Sequence, residues 1–345
     1  MIAYKYRSGR GQKDAQGNDI FERDINMLAK DTIYVPTVAQ LNDPTEALVD
    51  DRIFEMQLEL FKKLGAKDSI NMVRERYIEF YEGIIRDSGI YSLSKKIDNE
   101  LMWAYYASGH SGYAIIFDTD VLARSFGNGK WGGMYEIDVN YSKKLPKFDI
   151  SRLRRENDVT VALSCLVGNK SEAWEHENEH QLVFDKGGKS LTIDYRAVKG
   201  FVFGCRMKDE DIDYVMKLFP GRDLDYYKIV LKDNTYKLLL QELKDRYPDA
   251  DKYCQYNKVE YDIDRLIESD RDSFGVGYKY RPFVEEAMSE VSKEPFLTGI
   301  SHIVVTDDGK YPHILVWTKV NQDGYVSSMK SFEYDIIKGK LVRKL

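Results

Sequence analysis

Apolar residues recur along this chain in two rhythms, and each predicts a different element. Residues 2–7 (IAYKYR) alternate as a short strand does, and a polar, glycine-containing loop follows from Ser8 to Asp19. Ile20, Met27 and Leu28 fall at helical spacing over residues 20–30, and the β-branched and aromatic run Thr32–Val35 predicts a strand that Pro36 ends. Asn42-Asp43-Pro44 predicts a turn handing over to a helix, in which Ile53, Met56, Leu60 and Leu64 recur at three and four residues before Gly65. A second helix restarts at Asp68 or Ser69 with Ile70, Val73, Tyr77, Phe80 and Ile84 as its stripe, and the two helices predict an antiparallel hairpin. Residues 89–94 read as a strand, and Asp98 is placed to cap a helix reaching Ser108, with Gly109 past its end. The continuous run 113–118 (YAIIFD) predicts a buried strand. Further strands are predicted at 131–142, with an irregularity at Gly132-Gly133, and at 180–185 and 199–204, with helices at 158–168 and 207–219. From there to about Asp272 the chain is charged and reads as helical, with Leu238–Leu243 the strongest segment. From about residue 297 it alternates as a β-meander, with hairpin turns at Asp307-Asp308-Gly309 and Lys338-Gly339-Lys340. The mixture predicts an α+β fold: a mixed-sheet core over residues 1–219 with a helical insertion, and an α/β-meander extension over 220–345.

Composition narrows the class. The 345 residues are 43% hydrophobic and 31% charged, which suits a globular chain with a substantial core. The net charge of −6 argues against a protein that coats nucleic acid or an anionic membrane, and the basic run Arg152, Arg154, Arg155 reads as a solvated face. Cys165, Cys205 and Cys254 are odd in number and widely spaced, which suggests reduced thiols in the cytoplasm rather than a disulfide framework or a cysteine zinc site. Lys5, Arg7 and Arg10 precede any apolar run and no run is long enough to span a bilayer, so neither a signal peptide nor a membrane partner is expected.

Four segments carry candidate chemistry. On the opening strand, alternation puts Tyr4 and Tyr6 on one face and Lys5 and Arg7 on the other, where the cations suit a phosphate. Ser92 and Ser94 end a strand before the helix bearing Trp103 and Tyr106. Trp103, Tyr106 and His110 fall on one line if the helix persists, which would flank a flat ring, while Leu101, Met102 and Tyr105 share another face that reads as core. Residues 174–181 admit two chemical readings. On a helix, His176-Glu177-x-x-His180 has the spacing of a zinc-peptidase site; otherwise Glu177-x-Glu179 leads into a strand with both carboxylates on one side. A zinc site at His176 and His180 is the lesser reading, because Glu179 places a charge within such a helix and Leu182-Val183-Phe184 reads as strand, so no metal is expected. Asn42-Asp43-Pro44 is explained as a turn.

Taken together these segments resemble an uncharacterised bacterial family catalogued as domain of unknown function 2971. The resemblance rests on Tyr4-Lys5-Tyr6, Asn42-Asp43-Pro44, Ser94 before Met102-Trp103, Tyr106, Gly112, Phe117-Asp118, Lys170, Trp174, Glu177, Glu179 and the run Val202–Arg206, over residues 2–219. Lys5 stands where many members have histidine, and Gln181 where arginine is usual, removing a charge that would anchor Glu179. The order of features also resembles the ADP-ribosyltransferase superfamily. That resemblance implies a related mixed-sheet core that takes NAD as substrate. It makes Glu179, Glu177 and Ser94 the catalytic set, with Tyr4, Lys5, Tyr6, Arg7, Asn42, Trp103, Tyr106 and Trp174 contacting NAD. The implied activity is ADP-ribosyl transfer or NAD hydrolysis, in a toxin or phage-defence effector, with protein, nucleic acid or water as acceptor. The alternatives are a non-catalytic nucleotide-sensing or partner-binding module and an HExxH metallopeptidase. Residues 220–345 are expected to recognise a target, a partner protein or a second copy through an exposed β edge.

Overall fold

The computed structural model describes residues 1–65, 67–126, 134–153, 159–255, 258–269, 274–320 and 329–344; Gly132, Gly133, Arg154 and Arg155 lie outside them. The chain divides into two compact units, Met1–Tyr253 and Cys254–Leu345. It is a mixed α+β protein, and no described helix is long and apolar enough to cross a membrane.

In the first unit the elements run β1 (Ile2–Arg7), α1 (Ile20–Ala29), β2 (Thr32–Val35), α2 (Arg52–Lys63), α3 (Lys67–Asp87), β3 (Gly89–Ser94), α4 (Glu100–Tyr106), β4 (Tyr113–Asp118) and α5 (Thr119–Arg124). They continue with β5 (Met134–Asp138), β6 (Asn140–Ser142), α6 (Val159–Leu166), β7 (Asn169–Ser171), β8 (Glu179–Phe184), β9 (Lys189–Thr192), β10 (Val198–Phe203), α7 (Asp209–Leu218), β11 (Asp225–Leu231) and β12 (Leu238–Leu243). Eight strands form one sheet in the order β12-β11-β10-β4-β1-β3-β8-β5, while β2 pairs with β9 and β6 with β7. The continuous apolar run of β4 is buried because β1 and β10 cover both of its edges and helices pack on the sheet.

The centre of this sheet is split. β1 pairs with β4 along its whole length, from Ile2↔Asp118 to Arg7↔Tyr113, and β3 pairs with β8 from Gly89↔Phe184 to Ser94↔Glu179. Between β1 and β3 the register holds one pair, Tyr4↔Ser94. The sheet is therefore a five-stranded and a three-stranded part joined at one pair, which involves the last residue of β3.

Three sequence expectations change here. The helix after Ser94 is capped by Asn99, whose side chain accepts from the Leu101 and Met102 amides at 2.9 and 3.2 Å, not by Asp98. It ends at Tyr106, and Ser108, Gly109 and His110 all take positive φ. The first unit does not stop at residue 219, because β11 adds parallel to β10 and β12 closes a hairpin onto β11, with Tyr226 and Ile229 buried. Asp225–Leu231 and Leu238–Leu243 are thus strand where the pattern predicts helix, whereas Ile263–Ser269 of the same charged stretch is helical as expected. Finally, α2 buries Phe54 and Leu58 rather than its predicted stripe: Met56 is 71% exposed, Leu60 56% and Leu64 72%. The contacts Phe54–Tyr77 and Glu55–Arg74 confirm that α2 and α3 run antiparallel.

The second unit holds α8 (Ile263–Ser269), α9 (Phe274–Lys279), α10 (Arg281–Val291) and the predicted meander, β13 (Leu297–Thr306), β14 (His313–Val320), β15 (Met329–Ile337) and β16 (Lys340–Arg343). Its strands lie in sequence order. Its core sets Val284, Ala287, Met288 and Val291 of α10 against Ile303, Val305, Ile314, Val316, Phe332 and Tyr334 of the sheet.

Candidate functional site

A cleft of about 190 Å³ opens in the first unit beside the junction of β1 and β3. Both faces of β1 reach it because the sheet is parted there, so Tyr4, Lys5, Tyr6 and Arg7 all line it. Leu41, Asn42 and Asp43 come from the loop before α2, Ser92, Leu93 and Ser94 from β3, and Met102 and Tyr106 from α4. Lys170 of β7, Trp174, Glu177 and Glu179 complete the wall.

The chemistry gathers on one ammonium. Lys170 Nζ lies 3.2 Å from Glu46, 3.2 Å from Glu177 and 3.0 Å from Glu179, and all four side chains are between 1% and 8% exposed. Three carboxylates share one cation away from water, an arrangement that holds only if charge, protons and hydrogen bonds are closely matched. Gln181 Nε2 donates to Glu179 at 2.9 Å and to Glu46 at 3.3 Å, the Tyr106 hydroxyl donates to Glu177, and the Glu179 amide donates to the Tyr141 hydroxyl at 2.8 Å. Burial pushes Glu46 up to about 7, with the neighbouring Glu179 adding to the rise and Lys170 opposing it. Burial also raises Glu177, again against Lys170. For Lys170 burial works toward neutrality, but Glu179, Glu46 and Glu177 outweigh it and hold the amine charged. Among the described residues, nothing donates to buried Asp43 Oδ2 or Gln181 Oε1.

Across the split, Lys5 Nζ donates to the Ser92 carbonyl at 2.7 Å and lies 4.7 Å from the centre of the Tyr91 ring. Burial, and then Arg7, bring Lys5 down to about 7. Arg7 is held by Asp24 at 3.5 Å. A cation held near neutrality in this way regains its charge when an anion enters.

Ten of the eleven residues singled out from the sequence line this cleft: Tyr4, Lys5, Tyr6, Arg7, Asn42, Ser94, Tyr106, Trp174, Glu177 and Glu179. Trp103 does not. It is fully buried, packs edge-on against Tyr6 at 5.1 Å and donates to the Ile97 carbonyl at 2.7 Å, so it supports the wall from behind. Its helix is turned from the predicted orientation, and Leu101 and Tyr105 are exposed rather than core. Ser94 is 2% exposed and its hydroxyl donates to the Glu177 carbonyl at 2.7 Å; it positions that residue. Glu177 and Glu179 do not share a strand face. Glu177 ends a 3-10 turn, Asn178 takes a left-handed conformation at φ 46°, and Glu179 begins β8, so the two carboxylates meet through a bend in the chain. The same bend removes the helix that the HExxH reading needs: His176 Nδ1 contacts the Ala173 carbonyl, while His180 lies between Asp138 and Glu136 at 2.9 and 3.1 Å. No group of three or more potential metal ligands occurs among the described residues. Gln181 anchors Glu179 by a hydrogen bond, and Lys170 supplies the charge that arginine would have brought.

Lys170 is conspicuous in the sequence only as part of the motif, and nothing local points to Glu46 or Tyr141. Glu46 reaches the cluster because the Asn42-Asp43-Pro44 turn is fixed by Asp43 Oδ1, which accepts from the Thr45 amide and hydroxyl at 2.8 and 2.7 Å. A family model described as "Protein of unknown function (DUF2971)" matches residues 102–182. No curated protein and no solved structure matches the chain. From α4 to the first residues of β8, the stretch that carries Tyr106, Lys170, Trp174, Glu177 and Glu179, the chain is similar to a family whose function is unknown.

Proposed function

We propose that the cleft cleaves the nicotinamide–ribose bond of NAD, as an ADP-ribosyltransferase or NAD glycohydrolase. The observation that carries this reading is the convergence of Glu177 and Glu179 on Lys170 in the split between β1 and β3, opposite Lys5 and Arg7. The Glu177 and Glu179 carboxylates set negative charge where a ribosyl cation would form. Fixed charge of that sign, shielded from water, favours such a transition state. Glu179, tied by Lys170, Gln181 and Tyr141, is the rigid member and suits the electrostatic role. Glu177, raised by burial, suits the base. In the step the C1′–N bond breaks and its electron pair leaves with nicotinamide. The acceptor's oxygen or nitrogen bonds to C1′, and its proton passes to Glu177. Lys5 and Arg7 provide donors for the pyrophosphate.

The test is nicotinamide release from NAD by the purified chain beside Glu179→Gln and Glu177→Gln. Release that falls by about 100-fold or more in the glutamine variants, with folding retained, supports the reading. NAD binding without release, with or without cell extract as a source of acceptor, would replace it with a sensing module.

A further inference from the structure

The stripe that the sequence assigns to the core of α2 faces outward. Ile53 is half-buried, and Met56, Leu60 and Leu64 are 71%, 56% and 72% exposed, whereas Phe54 and Leu58 hold the helix to the rest of the unit. The spacing 53, 56, 60, 64 puts these residues on one face of the helix. At about 100° per residue, Met56, Leu60 and Leu64 fall within roughly 80° of one another on the side turned away from Phe54. Met72 of α3 is 68% exposed and, by the Phe54–Tyr77 and Glu55–Arg74 pairings, lies level with the middle of α2. An apolar seam of this kind on a two-helix insertion is a contact surface awaiting a partner.

We infer that α2 docks on α2 of a second copy, antiparallel about Leu60. The charges select this occupant. Glu59 and Lys63 lie on one flank of the seam, on either side of its midpoint, both exposed. In an antiparallel pair the same flanks meet, so Met56 lies over Leu64 of the other copy, Leu60 over Leu60, and Glu59 against Lys63 twice over. A parallel pair would place the two copies' Glu59 and Lys63 on opposite sides of the seam and form neither pair. The antiparallel arrangement also opposes the two helix dipoles. Glu59 already reaches Lys62 of its own chain at 3.5 Å, an exposed contact that exchange for the intermolecular pair gives up at little cost.

The experiment is the mass of the full chain in solution by light scattering and sedimentation equilibrium over a concentration series. The expected result is a dimer that Leu60→Glu converts to a monomer with unchanged circular dichroism and melting temperature, since Leu60 makes no core contact. Glu59→Lys and Lys63→Glu should each weaken the dimer several-fold, and the double variant should restore it. A monomer at all concentrations overturns the inference, as does a dimer indifferent to Leu60→Glu or a double variant no better than the singles. Flotation of a monomeric chain with phosphatidylcholine–phosphatidylserine vesicles, lost in Leu60→Glu, would overturn it in favour of a lipid surface.

Discussion

The two larger sheets of this protein solve different problems. In the second unit each strand pairs with its neighbour in sequence over at least four residues, and the buried cluster is apolar, with Glu294 tied to Arg343 at 2.6 Å. In the first unit the sheet is assembled from distant segments, is joined at its centre by one residue pair, and buries Lys170 with three glutamates beside that weak point. A sheet optimised for stability alone has no reason to part its middle strands and fill the gap with charge. The contrast sets the candidate site where stability is given up.

The largest expected effect breaks the contrast at its charge. Lys170→Met leaves three buried carboxylates without their cation and should cost the first unit about 3–5 kcal/mol in denaturant unfolding, with loss of NAD cleavage. A cost below about 1 kcal/mol would mean that the cluster is wetter or more protonated than its burial implies. By comparison, Ile314→Val in the second unit removes one buried methyl, should cost about 1 kcal/mol, and should leave nicotinamide release untouched. Trp103→Phe distinguishes support from contact: it should lower stability by about 1–2 kcal/mol through the lost Ile97 hydrogen bond while the KM for NAD stays within about twofold. A large rise in KM with no loss of stability would place Trp103 in contact with the ligand.

Two smaller effects sharpen the electrostatics. Lys5 stands at about 7 in the free protein, and a bound phosphate should raise it, so binding takes up a proton. NAD affinity should therefore fall as pH rises above 7, and calorimetry in buffers of different ionisation heat should show the uptake, absent in Lys5→Met. Glu46 stands at about 7 when folded against an ordinary 4.5. The folded state holds that proton more tightly, so the stabilisation it gives is complete below 4.5 and is lost as pH rises through 7. Glu46→Gln should flatten the stability profile across that window; an unchanged slope would assign it to another group.

Much of the fold was legible because its signals are local. The alternation of residues 2–7, the apolar run of 113–118 and the meander after residue 297 each depend on neighbours a few residues away, and each forms as its pattern predicts. Residues 225–243 carry no such signal, since the pairing with β10 that makes β11 a strand lies outside the segment. The stripe on α2 was legible as a stripe, but periodicity reports that a helix has an apolar face and not what covers it. Most of the candidate site was visible as a set of residue types in order. The left-handed turn at Asn178, the reach of Glu46 to Lys170 and the burial of Trp103 were not, because each depends on how segments far apart in sequence are brought together.

The sequence by itself determined the α+β class, the meander, the identity of most cleft residues and the presence of two glutamates before a strand. Tertiary structure alone decided that these glutamates share one buried ammonium, that Ser94 holds a carbonyl, and that Lys5 is held near neutrality. The physical reason is that side-chain chemistry is carried by the residue, whereas its charge state and its partners depend on desolvation and distance, which folding sets.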